Sequence, residues 1–329
     1  MIIKPYKVSV VMCTCNGAKY IVEQLESIIN QTYPIYELII QDDCSTDDTW
    51  KIILEYNKKY SYIKCFSNTI RKDVNPNFKD AFFHATGDII APSDQDDIWV
   101  FNKIEKLINL IGDNDLAYSK STVLYEDNTT LTSNFPNCSY FEQCLWNNPV
   151  AGHTCIFKSS MLTELKKCID LPIPYDHCIC LIAYSNKSWI KTDLELQFWR
   201  KHSTSITEIG YKSYTLHNLQ KHHKLYKFAF TFMNLLKVNK AIGVKERFDS
   251  ISEFYIRINA DKGLIKLSKY LSKQTLLSYL FSGFICLFYK DKMFPINKQL
   301  NSLQKLSRIS FVLRYPMTYW FDNHLVRYL

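Results

Sequence analysis

Glycine is scarce, 8 residues in 329. The chain contains no G-x-G-x-x-G and no G-x-x-x-x-G-K-[ST], so neither a dinucleotide fingerprint nor a P-loop is written in it. Gly/Ser-rich and proline-rich tracts are also missing, which argues against flexible linkers and disorder. The longest apolar run, "TLLSYLFSGFICLFY" at Thr275–Tyr289, falls short of the roughly 20 residues of a spanning helix. The start, "MIIKPYKVSVVMC", lacks an apolar stretch ending at a small-residue cleavage site and reads as a first strand, not a signal peptide. Without an export signal the 11 cysteines belong to a reducing cytosol, and their odd number and scattered spacing are not a disulfide framework. The C-x-C pairs Cys13/Cys15 and Cys178/Cys180 have no second pair at zinc-like spacing and read as buried, inert thiols.

With 47% hydrophobic residues the chain can bury a substantial core. Charge divides it. Residues 211–329 carry 20 Lys/Arg against 6 Asp/Glu, a balance of +14, which leaves residues 1–210 at −6 of the total +8. The first part alternates strand and helix patterns. "KVSVVMCT", "YELIIQDD", "YIKCFSN" and "GDIIAPSD" read as strands; "AKYIVEQLESIINQ", "DDTWKIILEYNKKY", "NFKDAFFHAT" and "FNKIEKLINLIG" read as helices. Continuous apolar strands separated by amphipathic helices predict an α/β fold, a mostly parallel sheet flanked by helices.

Ligands of such sheets bind beyond the carboxyl ends of the strands. Here those ends read "CTCNG", "DDCSTDD" and "SDQDD". Asp47 and Asp48 suit capping of the helix that carries Trp50, and Asp97 suits capping of the helix that carries Lys103. Asp42, Asp43, Asp94 and Asp96 have no such structural task. Carboxylates this close repel one another unless a cation sits among them, and a hard divalent ion, Mg2+ or Mn2+, is the simplest neutraliser.

The run "VSVVMCTCNGAKYIVEQLESIINQTYPIYELIIQDDCSTDDT" followed by "GDIIAPSDQDDIW" resembles the nucleotide-sugar-binding half of the family 2 glycosyltransferases, which have the GT-A fold. The segments "AGHTCIF", "PYDHCICLIA" and "FWRKHSTSIT" resemble the acceptor side of the bacterial rhamnosyltransferase-like branch, so the similarity covers roughly residues 7–207. The resemblance implies a GT-A catalytic domain over residues 1–210, with a nucleotide-sugar half at 1–115 and an acceptor half at 116–210, followed by a basic amphipathic helical region at 211–329. It places Cys13, Thr14, Asp42 and Asp43 against the nucleotide. It makes Asp94, Gln95 and Asp96 the D-x-D, with Asp96 a direct metal ligand, Asp94 reaching the ribose or the metal, and Trp99 under the metal loop or lining the donor pocket. Asp176 is the implied catalytic base, and helix capping by it is compatible with that role. His202 is implied on the metal or diphosphate. Arg200 offsets charge beside it, whereas Arg71 and Lys72 belong to a loop that phosphate or plain solvent can meet. His153 and His177 stay on the acceptor side without a role.

The implied reaction is metal-dependent, inverting transfer of a sugar, rhamnose among the candidates, from a nucleoside diphosphate donor to a saccharide acceptor. That acceptor is expected to be lipid-linked, in bacterial surface polysaccharide synthesis. The alternative is a non-catalytic protein that keeps the fold and binds a nucleotide sugar or a membrane partner. The basic C-terminal part fits either packing on the catalytic domain or an anionic membrane surface, which would put a cytoplasmic protein on the inner face of the membrane. No recognition motif for nucleic acid accompanies it.

Overall fold

The computed structural model describes residues 5–133, 135–202, 242–296, 302, 304–313 and 315–316. The alternating hydrophobic periods produce β1 (Val8–Thr14), α1 (Ile21–Ile29), β2 (Glu37–Asp42), α2 (Thr49–Lys59), β3 (Ile63–Ser67), α3 (Val74–Ala81) and β4 (Ile89–Ser93) in turn. Every residue of β1, β2 and β4 is buried, because helices cover both faces of the sheet. β1 lies parallel to β2 and β4, with Thr14 opposite Asp42 and Met12 opposite Ser93, and β3 lies parallel to β2. This register brings the loops after β1, β2 and β4 to one edge.

The chain continues through β5 (Ile98–Trp99), α4 (Lys103–Ile111), β6 (Leu116–Tyr125), β7 (Thr130–Thr132), β8 (Cys155–Lys158), α5 (Leu162–Lys166), α6 (Tyr175–Ser185) and β9 (Trp189–Lys201). The strand order is β3-β2-β1-β4-β8-β6-β9-β5, with β7 on β6. β8 runs antiparallel to both β4 and β6, while β9 runs parallel to β6. The parallel arrangement read from the sequence therefore holds for β1–β4, and the second half is mixed.

One face of the sheet packs Val8, Val10, Met12, Leu38 and Ile40 against Ile21, Leu25 and Ile28 of α1, Ile53 of α2 and Ile104, Leu107 and Ile111 of α4. Burying each such side chain contributes about 1.5–3 kcal/mol. On the other face Phe82 meets Phe78, Phe157 and Tyr175 ring against ring. At the amino end of the strands buried Glu37 accepts from Ser9 Oγ (2.6 Å), Thr86 N (2.6 Å) and Lys64 Nζ (2.6 Å).

Two capping expectations change. Asp48 stands at the N-cap of α2 but makes no side-chain cap bond; Asp47 instead accepts from Thr49 N (3.0 Å) and Ala18 N (3.1 Å). Helix α4 begins only at Lys103, too far along the chain for Asp97 to cap it, and Asn102 takes that position.

The chain divides into two compact units, Met1–Cys138 with Asn147–His202, and Ser139–Trp146 with Ser203–Leu329. In the second, helices span Ile242–Arg257, Lys262–Lys273, Leu276–Phe288 and Lys290–Met293 among the described residues. Segment 139–146 joins them through Trp146 against Phe248, Phe141 against Tyr255, and Glu142 accepting from Lys292 at 2.7 Å. Asp261 caps one helix at Gly263 N, and Thr275 with Ser278 forms a capping box on the next. The basic run "KLYKFAFTFMNLLKVNK" lies outside the described residues. Among those described, no helix is long and apolar enough to cross a membrane. All 11 cysteines are free, and burial pushes the Cys155 and Cys178 thiols up to about 12.

Candidate active site

The loop after β1 is held open from three sides. Gln95 accepts from Cys15 N (2.9 Å) and donates to Cys15 O (3.0 Å), so the middle residue of "DQD" clamps the peptide that leaves β1. A Cβ on Gly17 would stand 2.2 Å from Gln95 Oε1, so any larger residue there would push the Gln95 side chain off the Cys15 peptide. Asn16 takes the left-handed conformation at φ 50° and accepts from Thr46 N (2.8 Å), tying the loop to the one after β2.

Asp42 and Asp43, both buried, complete that edge. Asp42 accepts from Thr14 Oγ1 (2.8 Å) and Ser45 N (2.9 Å). Asp43 accepts from Asn68 Nδ2 (2.7 Å), Lys72 N (2.8 Å) and Asp73 N (2.8 Å). These bonds hold Asp73 at φ 64°, ψ 170°, a backbone state almost confined to glycine and costing about 1–3 kcal/mol. Arg71 pairs with Asp73 and Lys72 with Asp80. Cys13 is buried in β1, and desolvation followed by Asp94 and Asp43 raises its pKa well above the ordinary value, so it stays a thiol.

The end of β4 gathers most of the predicted residues. His202 Nε2 lies 2.8 Å from Asp96 Oδ2, and Arg200 Nε donates to Asp96 O at 2.9 Å. Tyr20 packs on the His202 ring with centroids 4.6 Å apart. His153 Nδ1 lies 3.3 Å from Asp94 Oδ2 and 3.9 Å from Asp97 Oδ2, and its ring rests against Trp199. Asp97 is fully buried and accepts from Gln197 Nε2 (2.9 Å) and Arg200 N (3.1 Å). Burial, then Asp94 and Asp96, raises its pKa. Lys103, also fully buried, donates to Gln197 Oε1 and to His153 O (2.6 Å) and sits 3.8 Å above the Trp99 ring; desolvation lowers its pKa to about 7. Trp99 belongs to the core beneath. Neither Gln197 nor Lys103 was singled out in the sequence, where a lysine in a helix start carries no mark of burial.

Asp176 stands in the first turn of α6, half-buried, and accepts from His177 N (2.7 Å) and from the Gly152 N–H beside His153. Desolvation, aided by the Asp94 charge and opposed by those N–H groups, raises its pKa to about 6. His177 is buried within the same helix.

A divalent cation fits this donor set. Ligand atoms of Asp94, Asp97 and His153 lie within 4.8 Å of one another, and Asp96 with His202 adds a second carboxylate–imidazole pair. In that cluster His153 presents Nδ1 to the carboxylates, while its buried Nε2 has no hydrogen-bond partner among the described residues. The carboxylate oxygens suit Mg2+ or Mn2+, and the imidazoles beside them suit a transition metal.

Residues 9–166 match the model of "Glycosyl transferase family 2". The dTDP-rhamnosyl transferase RfbG of Shigella flexneri is 31% identical over 211 residues, 59% of this chain and 72% of the relative. The chain belongs to glycosyltransferase family 2. It is an enzyme of that family, and a second relative is matched over nearly its whole length. This is the UDP-Glc:alpha-D-GlcNAc-diphosphoundecaprenol beta-1,3-glucosyltransferase WfaP of Escherichia coli, 29% identical over 268 residues, 79% of this chain and 94% of the relative. A further relative, 40% identical over 103 residues, is spanned over only 37% of its length, and the stretch is 31% of this chain. Among solved structures, S. aureus TarS 1–349 in complex with UDP-GlcNAc has a TM-score of 0.52 at 16% identity, covering 97% of this chain and 89% of that one. The mannosyltransferase PcManGT from Pyrobaculum calidifontis, in complex with GDP-Man and Mn2+, has a TM-score of 0.50 at 15% identity, covering 98% and 85%. The family 2 enzyme has the GT-A fold that these neighbours share.

Proposed function

We propose that this family 2 glycosyltransferase moves a sugar, with inversion, from a nucleoside diphosphate donor to a hydroxyl of a lipid-linked saccharide during surface polysaccharide synthesis. The observation that carries the reading is the pairing of two unlike carboxylate environments. Asp96 is held at its carbonyl by Arg200 and at its carboxylate by His202, whereas Asp176 is desolvated and more basic than an exposed aspartate.

Asp176 takes the proton of the acceptor hydroxyl as that oxygen attacks the anomeric carbon. A pKa of about 6 leaves it ionised at neutral pH yet a better base than a solvated aspartate. Its two backbone donors fix the direction of the carboxylate. Thr14 and the peptide clamped by Gln95 present the first loop to the nucleotide, beside Asp42 and Asp43. Asp94, beside Asp97 and His153, and Asp96, beside His202, are the groups that would hold Mg2+ or Mn2+, which would supply positive charge to the departing diphosphate. The names of RfbG and WfaP support two donors, a dTDP-activated deoxyhexose and UDP-glucose, and that of WfaP supports a diphospholipid-linked saccharide acceptor.

Calorimetric titration with dTDP-rhamnose and UDP-glucose, with and without Mn2+, tests this directly. One donor is expected to bind only with metal, Asp96→Ala to abolish that binding, and Asp176→Asn to bind without turnover. Metal-independent binding of every donor, unchanged in Asp96→Ala, would overturn the assignment.

A further inference from the structure

The helix Leu276–Phe288 is packed the wrong way out for an ordinary soluble protein. Its small and polar residues Ser278, Ser282 and Cys286 are buried, and Gly283 approaches the Leu313 backbone so closely that a Cβ would stand 2.4 Å from the Leu313 carbonyl oxygen. Tyr279 is buried with them, but five large apolar residues face out: Leu277 is 63% exposed, Phe284 57% and Phe288 89%, with Leu280 and Phe281 between them. The spacing 277, 280, 281, 284, 288 is one helical stripe. An apolar stripe left in water is costly, and exposed patches of this kind mark contact surfaces.

The neighbouring helix Lys262–Lys273 supplies the second observation. Lys262, Lys266, Lys269 and Lys273 are all exposed, and their spacing of four, three and four residues again makes one stripe. None of the four forms an ion pair with a carboxylate among the described residues. The two stripes are neighbours, since Lys273 Nζ lies 5.2 Å from the centre of the Tyr270 ring and Tyr270 stacks on Phe281 at 5.6 Å. Residues 274–289 hold no charged residue, whereas 261–273 with 290–296 hold six lysines against two aspartates.

We infer that these two helices form a docking face for an anionic lipid bilayer, with the stripe Leu277–Phe288 sunk among the acyl chains and the lysines on the headgroup phosphates. An apolar stripe bordered by unpaired lysines is the arrangement of a helix lying in the plane of the interface. This helix has 13 residues and cannot span, so it lies on the bilayer instead of crossing it. A protein partner would have to match both the bare apolar stripe and four unpaired cations, whereas an anionic bilayer presents both surfaces at once. The inference goes beyond the transfer reaction and does not depend on which donor is used.

Flotation of the full chain with phosphatidylcholine vesicles, with and without phosphatidylglycerol, tests it. Binding is expected only with phosphatidylglycerol and is expected to weaken in high salt. Phe284→Asp/Phe288→Asp and, separately, Lys266→Glu/Lys269→Glu should each lower the affinity at least about tenfold. All four positions are exposed, and circular dichroism checks that the variants fold. No binding of the native chain to anionic vesicles, or binding unchanged in both variants, overturns the inference. If the phenylalanine variant instead lowers the molar mass measured by light scattering while vesicle binding persists, the face belongs to a second copy and the inference falls.

Discussion

Replacing Asp176 by Asn is expected to stop turnover and yet stabilise the first unit. Burial disfavours the charge of this carboxyl and pushes its pKa up to about 6 from the ordinary aspartate value of about 3.9. A shift of about two units at about 1.4 kcal/mol each means that the ionised group costs the fold about 3 kcal/mol at neutral pH and above. The sign follows from the raised value: the fold holds the proton more tightly than the unfolded chain. The cost is therefore absent below about pH 4, grows up to about pH 6 and is constant beyond. Asn keeps an oxygen for the His177 and Gly152 N–H groups but accepts more weakly than a carboxylate, which returns part of the gain. A net stabilisation of about 1–3 kcal/mol remains, or about 3–8 °C in Tm for a unit of this size. Scanning fluorimetry at pH 8 and pH 4 on both proteins measures it, with sugar-transfer turnover expected to drop about 100-fold or more. A lower Tm at pH 8, or the same gain at both pH values, refutes desolvation as the cause.

The remaining expectations follow from the same geometry. The acid limb of kcat/KM should fall about tenfold per pH unit below about pH 6, as protonation removes the Asp176 base; a profile flat to pH 5 in a transfer assay would exclude that role. Gly17→Ala should drive Gln95 off the Cys15 peptide, raising the donor KM and costing about 1–3 kcal/mol; in a Gln95→Ala background the cost should shrink, as a double-mutant cycle of denaturant midpoints would read. Glu37→Ala should cost about 1–3 kcal/mol by leaving the buried Ser9 hydroxyl and the Thr86 N–H without their acceptor, while half-exposed Lys64 turns to solvent. Burial pushes the Glu37 pKa up, but the bonds from Lys64, Ser9 and Thr86 hold it below the usual value, so its contribution is present above the unfolded pKa and fades as pH falls through the folded one. Urea melts at pH 7 and pH 3.5 give that difference.

Much of the donor half is legible in the chain because its signals are local. β1 to β4 are short runs of β-branched and apolar residues, and the helices between them show their buried stripe at helical spacing. The acid clusters stand at strand exits, where a parallel sheet binds its ligands, so Asp43, Asp94 and Asp96 could be chosen before any coordinates. Capping was less legible. Asp47, Asp48 and Asp97 all stand near helix starts, but the direction of each side chain depends on donors from other loops, such as Ala18 N and Gln197 Nε2.

What the sequence by itself determined is therefore the set of elements of the donor half, the edge at which its acids collect and the family those residues resemble. Periodicity reports that a residue is buried, and short-range spacing reports how a helix starts or a strand ends. Only the tertiary structure decided which distant residues meet. It put β8 antiparallel between β4 and β6, joined His202 to Asp96 across 106 positions, and buried Lys103 behind Gln197 although its local surroundings look solvated. It also turned the Leu276–Phe288 helix with its small residues inward, because Gly283 lets the backbone near Leu313 approach. Such pairings are set by the balance of burial, sterics and hydrogen-bond satisfaction over the whole fold, and no window of neighbouring residues contains that balance.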